Sequence, residues 1–244
     1  KEPYFELSNN INLPAEFDLY FYDEAGNLVD VKKEARVRQR IRIPDGATSI
    51  HLVFERSTNT GSYIEIWWRA PSRNVIIRDS ELHYNRRQGI TIGGADNVLI
   101  ENNVIHGMRG TAPQSGIDVE GGYGQNGFLN TNIVIRNNEF YDNAAYDVIL
   151  YDGYNAVVEG NHLASKGAIG VAVSKPFTGA VIRNNHFDGT RLYVYHDVEI
   201  IGNKMNDAYT FIEGPNVIVD GMKFTDATFN VNSSQPFGVE VRNV

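Results

Sequence analysis

Apolar and polar residues alternate along most of this chain in short runs that Gly, Asn and Asp interrupt. Such runs predict β-strands bounded by turns, and the 3.6-residue period of amphipathic helices is almost absent. The pattern therefore predicts an all-β protein.

One nine-residue pattern recurs from residue 74 onward. Its copies are NVIIRDSEL at 74, NVLIENNVI at 97, NIVIRNNEF at 132, NAVVEGNHL at 155, GAVIRNNHF at 179, DVEIIGNKM at 197 and NVIVDGMKF at 216. The intervals between them are 23, 35, 23, 24, 18 and 19 residues. Self-similarity at this period indicates a solenoid, in which each repeat buries its apolar face only by stacking on its neighbours.

Each repeat contains a second apolar run, such as GITIGG, GIDVEGG or DVILYDG, and no helical segment. Two or three short strands per repeat predict a parallel β-coil, whereas a leucine-rich repeat would need a Leu ladder and a helical or 3₁₀ segment. The seventh position of the pattern is Asn in five successive repeats, at Asn103, Asn138, Asn161, Asn185 and Asn203. Because Asn tolerates left-handed backbone and its amide can bond to a stacked Asn, we expect a left-handed turn and an amide ladder there. The ninth position should form an apolar column inside the coil, made of Leu82, Ile105, Phe140, Leu163, Phe187, Met205 and Phe224.

These repeats resemble the right-handed parallel β-helix of the pectate-lyase-like superfamily, in which an asparagine ladder occupies one turn. The resemblance covers about residues 70–244 and implies about seven rungs.

Residues 1–69 break the pattern and predict a small antiparallel, β-sandwich-like module. The phrases FYDEAGNLV and IPDGATSIHLVF resemble a module in tail proteins of phages that infect Gram-positive bacteria. The alternative is a simple cap over the first rung, since exposed strand edges invite aggregation.

Composition removes several classes of function. The 244 residues carry a net charge of −8, which argues against nucleic acid and anionic membranes as partners. The absence of Cys excludes disulfides, zinc ribbons and thiol nucleophiles. No window approaches the ~20 apolar residues of a membrane span, so we expect no membrane insertion.

One repeat is longer than the others, and its excess marks a candidate site. Its 35 residues include two insertions, in HGMRGTAPQSG and EGGYGQNGFLN, on either side of the strand GIDVE. Insertions in solenoids map to loops on one face, which is often the binding face. If Ile117 and Val119 point inward, Asp118 and Glu120 project outward side by side, with Cα atoms about 6.6 Å apart.

This acidic pair is local to the long repeat. The positions equivalent to Asp118 are Thr91, Ile149, Ala172 and Tyr193, and those equivalent to Glu120 are Gly93, Tyr151, Ser174 and Tyr195. As catalytic residues, Asp118 would be the general acid, with a pKa raised by Ile149, and Glu120 the base, although the roles could be exchanged. We favour inversion, since splayed side chains leave room for a water, but the spacing also allows retention. The alternatives are calcium ligands at Asp118, Glu120 and Asp152, or acidic side chains without a special role.

Other residues complete the predicted substrate site. Tyr123, Tyr151 and Asp152 would stack on sugars or hydrogen-bond to them. The resemblance also implies the mechanism of the polysaccharide lyases of this superfamily, which use cations to neutralise a uronate and an Arg or Lys as the base. In this chain the candidates for the base are Arg109 and Lys175.

The expected protein is a phage-type tail protein, in the virion tail and outside the cell, that binds and hydrolyses a bacterial surface polysaccharide. The alternatives are a polysaccharide lyase and a non-catalytic adhesin. We expect no required cofactor, with calcium as the alternative, and assembly as a homotrimer.

Overall fold

A computed structural model describes residues 4–9, 16–37, 39, 41–56, 64–68, 71–121, 130–233 and 238–244. Every regular element in these ranges is a β-strand, and we number them β1 to β28 along the chain. This confirms the predicted all-β class. The same ranges contain no helix, hence none long and apolar enough to cross a membrane.

The described residues form two units, one before Pro71 and one from Pro71 onward. The first contains two three-stranded antiparallel sheets. One sheet consists of β1 (Tyr4–Asn9), β4 (Ile41–Arg42) and β6 (Ile64–Trp68), and the other of β2 (Glu16–Tyr22), β3 (Leu28–Arg36) and β5 (Ser49–Val53). Both sheets contribute to one buried cluster, which includes Phe5 and Leu7 from β1 and Phe17, Leu19 and Phe21 from β2. This arrangement confirms the small antiparallel module.

The second unit consists of three long parallel sheets. The first sheet contains β7 (Ser72–Arg78), β10 (Ala95–Glu101), β13 (Thr131–Arg136), β16 (Tyr154–Glu159), β19 (Thr178–Arg183), β22 (Val198–Ile201), β25 (Val217–Asp220) and β28 (Val239–Arg242). The second sheet contains β8 (Glu81–His83), β11 (Val104–His106), β14 (Glu139–Tyr141), β17 (His162–Ala164), β20 (His186–Asp188), β23 (Lys204–Asn206) and β26 (Lys223–Thr225). The third sheet contains β9 (Gln88–Ile92), β12 (Ser115–Val119), β15 (Tyr146–Leu150), β18 (Ile169–Val173), β21 (Arg191–Val194), β24 (Tyr209–Ile212) and β27 (Thr228–Val231). One strand from each sheet makes a rung, and β7 to β27 make the seven rungs that the repeat predicts.

The predicted apolar column lies inside the parallel stack. Ile105, Phe140, Leu163, Phe187 and Met205 are at most 1% exposed and belong to one continuous core. The two remaining members, Leu82 and Phe224, are partly buried because they belong to the first and last rungs, where a neighbouring strand lies on one side only.

The predicted asparagine ladder occupies the turn between the first and second sheets. Each Nδ2 donates to the Oδ1 of the Asn in the next rung, at 3.0 Å from Asn103 to Asn138, from Asn138 to Asn161, from Asn161 to Asn185 and from Asn185 to Asn203. Each Nδ2 also donates to a carbonyl of the preceding rung, as Asn161 does to Ile135 at 3.0 Å. The ladder therefore satisfies backbone groups that the turn buries.

The expectation of left-handed backbone at the ladder residues was wrong. Left-handed residues lie near both ends of the strands of the first sheet, and those after the strands directly precede the ladder. Near the start they are Asn74, Asn97, Asn132 and Asn155, within the first residues of their strands, and Asp197 and Asn216, just before theirs; after the strands they are Asp79, Asn102, Asn137, Asn184 and Asn243. The ladder amide must point into the stack, so the positive φ that reverses the chain falls on the preceding residue. Asn, Asp and Gly occupy these corners because they tolerate that φ at low cost.

A second buried polar network supports the turn between the second and third sheets. Asp147 is fully buried, and its Oδ1 accepts hydrogen bonds from Asn143 Nδ2 and Ser165 Oγ. Its Oδ2 has no partner among the described residues. Burial raises the pKa of Asp147 to about 7, although the two hydrogen bonds oppose that rise.

The ladder gives a first prediction. Asn161→Ala removes four hydrogen bonds, two accepted from Asn138 and two donated to Ile135 and Asn185. Because it leaves their partners buried and unpaired, we expect a loss of about 3 kcal/mol or more in the free energy of unfolding, measured in urea. The control Asn206→Ala removes one hydrogen bond, to Asp188, at a less buried position and should cost far less. Equal losses would contradict a special role for the ladder.

The buried carboxyl of Asp147 gives a second prediction. Its pKa is higher in the folded protein than the ordinary 3.8, so its contribution to stability is full below pH 3.8 and is lost as the pH rises to about 7. Asp147→Asn abolishes this titration. The stability of the variant relative to the wild type should therefore rise between pH 4 and pH 8, by up to about 4 kcal/mol. Thermal unfolding across this range measures the effect. The surface variant Glu199→Gln is the control, and a pH-independent loss in Asp147→Asn would contradict the prediction.

Candidate functional site

Strand β12 positions the acidic pair on the outer face of the third sheet. Ile117 and Val119 are fully buried in the core of the stack, so the alternating residue Asp118 faces outward. In the sheet, Asp118 pairs with Thr91 on one side and with Ile149 on the other. This is the register that the repeat predicts. Glu120 follows the strand directly, and its backbone N–H donates to Ile92 of the preceding rung at 3.1 Å.

Asp118 is 2% exposed although it lies on the outer face. Burial raises the pKa of this carboxyl, and the nearby charge of Glu120 raises it further. Gln88 Nε2 donates to Oδ2 at 2.6 Å, and this hydrogen bond, together with the charge of Arg87, opposes the rise. Because the net pKa shift is upward, protonation of Asp118 extends to higher pH than for a surface Asp. The expected direction of the shift is thus confirmed.

Glu120 has a different environment. About a third of its side chain is exposed, and Arg87 Nη2 lies 3.4 Å from Glu120 Oε1. Arg87 Nε donates to the carbonyl of Ala112 in the inserted loop at 2.9 Å, which holds the guanidinium in place. The two neighbouring carboxyls are therefore held by two consecutive residues of the preceding rung, Arg87 and Gln88.

A groove of about 270 Å³ runs from the acids along the third sheet. It is lined by Pro113, Asp118, Glu120, Tyr146, Ile149, Tyr151, Ile169, Ala172, Ser174, Tyr193 and Tyr195. Four of these side chains are Tyr, and Tyr193 and Tyr195 each contact the ring of Phe211, at 5.6 and 6.2 Å. The groove therefore has a carboxylic end and an aromatic end.

The sequence assigned no role to Gln88, Tyr193 or Tyr195, and it indicated Arg87 only as one of the basic residues in the turns of the first two rungs that would permit a lyase. The repeat did carry a signal for the two Tyr residues, since it places them in the same columns as Asp118 and Glu120. No comparable signal existed for the contacts of Gln88 with Asp118 and of Arg87 with Glu120, because these side chains reach across from one rung to the next.

The other predicted site residues have varied positions. Tyr151 lines the groove and is 48% exposed. Asp152 is buried and does not line the groove, and its backbone carbonyl accepts a hydrogen bond from Asn130 Nδ2 at 3.1 Å. Arg109 donates to the carbonyl of Asp142 at 3.4 Å, and Lys175 lies 3.9 Å from the carboxylate of Glu213. Neither lines the groove. Tyr123 lies outside the described residues.

Among the residues that the structure describes, no three Asp, Glu, His or Cys side chains converge as metal ligands would. Asp118, Glu120 and Asp152 in particular do not form such a group.

Comparisons with known proteins identify similar sequences and structures. A family model described as "Right handed beta helix region" matches residues 66–229. The uncharacterized protein YclG of Bacillus subtilis (strain 168) is 36% identical over 119 residues, which cover 46% of this chain and 20% of YclG. A solved structure of XylC in complex with xylose covers 91% of this chain and 50% of its own, with 13% identity and a TM-score of 0.38. The chain thus spans about a fifth of YclG and half of XylC.

The hydrogen bond from Gln88 gives a third prediction. Gln88→Met keeps the length of the side chain but removes the donor that stabilises ionised Asp118, so the pKa of Asp118 should be higher than in the wild type. A carboxyl ¹³C NMR titration measures this change. The pKa of Asp147 should stay constant and serves as an internal control. An unchanged or lower pKa of Asp118 would show that Gln88 does not stabilise its charged form.

Proposed function

Because the chain belongs to the family of right-handed β-helix proteins, whose stacked rungs present long outer faces, we propose that it binds and hydrolyses a bacterial surface polysaccharide. The groove along the third sheet is the proposed site. One observation supports hydrolysis above all. Asp118 is buried and has a raised pKa, and the more exposed Glu120 lies two residues further along the chain. Pairs of carboxyl groups in contrasting environments are typical of glycosidases.

In the proposed mechanism Asp118 is protonated and donates its proton to the glycosidic oxygen, which leaves as the hydroxyl of one product. Glu120 accepts a proton from a water molecule whose oxygen attacks the anomeric carbon from the opposite face. The anomeric configuration inverts. Two consecutive outward positions on a strand have Cα atoms roughly 6.6 Å apart, which leaves room for that water if the side chains splay. The pKa of Asp118 supports this order of roles over the exchanged one.

Arg87 and Gln88 would position the two carboxyls. The guanidinium of Arg87 forms an ion pair with Glu120, and Arg87 Nε donates a hydrogen bond to the carbonyl of Ala112 in the inserted loop. Gln88 fixes the orientation of Asp118 with a single short hydrogen bond. Geometry prepared before the substrate arrives reduces the entropy lost in the reaction.

The aromatic end of the groove would bind sugar rings. Tyr193 lies in the same column as Asp118, three strands further along, which corresponds to about 14 Å at the usual strand spacing. Aromatic faces pack against the apolar faces of sugars while the Tyr hydroxyls remain available for hydrogen bonds. A polymer would therefore lie along the stack, with several of its units on the C-terminal side of the acids.

Two other functions remain as candidates. A non-catalytic adhesin is favoured by the fact that Gln88 and Arg87 already engage both carboxyls in the free protein. A lyase has less support, because its candidate bases, Arg109 and Lys175, do not line the groove.

The wider setting is part of the same proposal. The N-terminal phrases that resemble a phage tail module support a role in a virion tail, outside the cell, and a homotrimer would be typical of such appendages. Light scattering of the purified chain tests the trimer. Calorimetric titration with calcium tests whether the acids bind this ion, since a bound ion also stabilises the fold by mass action.

The acids give a fourth prediction. Asp118→Asn and Glu120→Gln should each lower the rate of polysaccharide cleavage at least about 100-fold, because each removes one partner in proton transfer. The affinity for the polymer should change little. The assay follows reducing ends and the absorbance of unsaturated uronates during incubation with purified bacterial cell-wall polysaccharide. Asp188→Asn and Glu199→Gln, on the second and first sheets, are the matched controls.

The two signals distinguish the candidate functions. Reducing ends without new absorbance indicate hydrolysis, both signals together indicate a lyase, and binding without either indicates an adhesin. Full activity in Asp118→Asn and Glu120→Gln would refute the assigned residues.

A further inference from the structure

Tyr84 occupies a backbone position that disfavours a bulky side chain. Its φ is 54°, in the left-handed region, where the described non-glycine residues are all Asn or Asp except Glu34, Tyr84 and Gln114. Tyr84 directly follows a strand of the second sheet. The residues that follow the other strands of this sheet with positive φ are Gly107, Asp142, Gly189, Asp207 and Asp226. A Tyr at this corner is strained, and such strain persists where the surroundings impose it, often at functional sites.

The ring of Tyr84 is exposed and yet held in place. Its side chain is 70% exposed, more than any other large apolar side chain of the described residues. The ring meets His83 edge-on at 5.2 Å and His106 edge-on at 5.4 Å between centroids. It also lies over Gly107, where a Cβ would come within 2.6 Å of Tyr84 Cδ1. The next rung therefore makes room for the ring and fixes its orientation.

Two imidazole rings contact the ring of Tyr84, and one of them, His106, also contacts a carboxylate. His106 is buried between His83 and Tyr141, which stack on it at 5.3 and 4.4 Å. His106 Nε2 lies 3.0 Å from the Oε1 of Glu81, whose side chain is 61% exposed. A fixed aromatic face beside an exposed carboxylate is the combination that a pyranose needs, since one face of the sugar is apolar and its rim carries hydroxyl donors.

Packing alone does not explain Tyr84. A ring that stays 70% exposed gains little from burial, and an Asp or Gly would adopt the same backbone at lower cost. The position is also close in the chain to a residue that contacts the acidic pair. Tyr84 precedes Gln88 by four residues, at most about 14 Å of chain, and Gln88 bonds directly to Asp118.

We propose that Tyr84, with Glu81 at its rim, is a second sugar-binding platform that holds a pyranose unit of the same polysaccharide outside the groove. This inference rests on the proposed function. A polymer would then be held on both sides of the acids, by Tyr193 and Tyr195 toward the C-terminal rungs and by Tyr84 at the first rung. A short oligosaccharide in the groove would not reach the platform.

The experiment compares Tyr84→Gly with Tyr84→Phe, both in the Asp118→Asn background so that bound polymer is not consumed. Cosedimentation with the purified bacterial cell walls that supply the polysaccharide of the cleavage assay measures affinity, and thermal unfolding measures stability. Tyr84→Gly should bind about tenfold more weakly, while its unfolding temperature stays equal or rises because glycine relieves the strained backbone. Tyr84→Phe keeps the ring and should bind like its parent.

Each outcome decides between the proposals. Equal binding by Tyr84→Gly and its parent would overturn the platform and leave the groove intact. A large fall in the unfolding temperature of Tyr84→Gly would make Tyr84 a structural residue and also overturn the platform. If Asp118→Asn binds and Tyr84→Gly binds weakly, but the wild type cleaves nothing, the platform stands and the proposed hydrolysis fails. Absence of binding by the parent would overturn both.

Discussion

The structure depends on the in-register stacking of rungs, which requires each rung to satisfy the backbone groups of the next at every corner. The Asn ladder does this at the turn between the first and second sheets. Each of its amides bonds up and down the stack, so that Asn138 and Asn161, for example, serve two rungs at once. Buried backbone groups without partners would be costly, and the ladder makes the sharp turn compatible with a closely packed core. The left-handed corners before and after the first sheet complete the rung with Asn, Asp and Gly.

This stacking also explains why Asp118 in strand β12 and Glu120 just after it differ in environment. Asp118 is enclosed by its own sheet, with Ile149 on one side and Gln88 reaching over it from the preceding rung. Glu120 stands past the end of the strand, where the rung turns and its carboxylate is more exposed beside Arg87. The rigid parallel sheet therefore gives the two carboxyls different environments although both residues are acids. The same sheet aligns the Tyr side chains of later rungs in the columns of the acids.

Two residues depart from what the stack would favour, and they do so for different reasons. Asp147 is buried with an oxygen that no described residue satisfies, which lowers stability as the pH approaches neutrality. Its other oxygen joins Asn143 and Ser165, so part of the cost is offset by support of the turn. Tyr84 bears backbone strain without burial. The first departure is internal and structural, whereas the second presents an aromatic surface to solvent.

The sequence by itself determined the architecture of the repeats. The period of the pattern, the Asn at its seventh position and the apolar residue at its ninth are local features that repeat, so the rungs, ladder and core column could be predicted from them. The outward direction of Asp118 followed from simple alternation. Only the tertiary structure decided which neighbours those outward side chains meet. Gln88 and Arg87 come from another rung, Asp152 turns out to be buried, and Arg109 lies away from the groove. The left-handed residue also shifted by one position, from Asn103 to Asn102. The burial of a side chain and its hydrogen bonds depend on residues that are distant in the chain. Which of these residues come close is decided by how each rung stacks on the next.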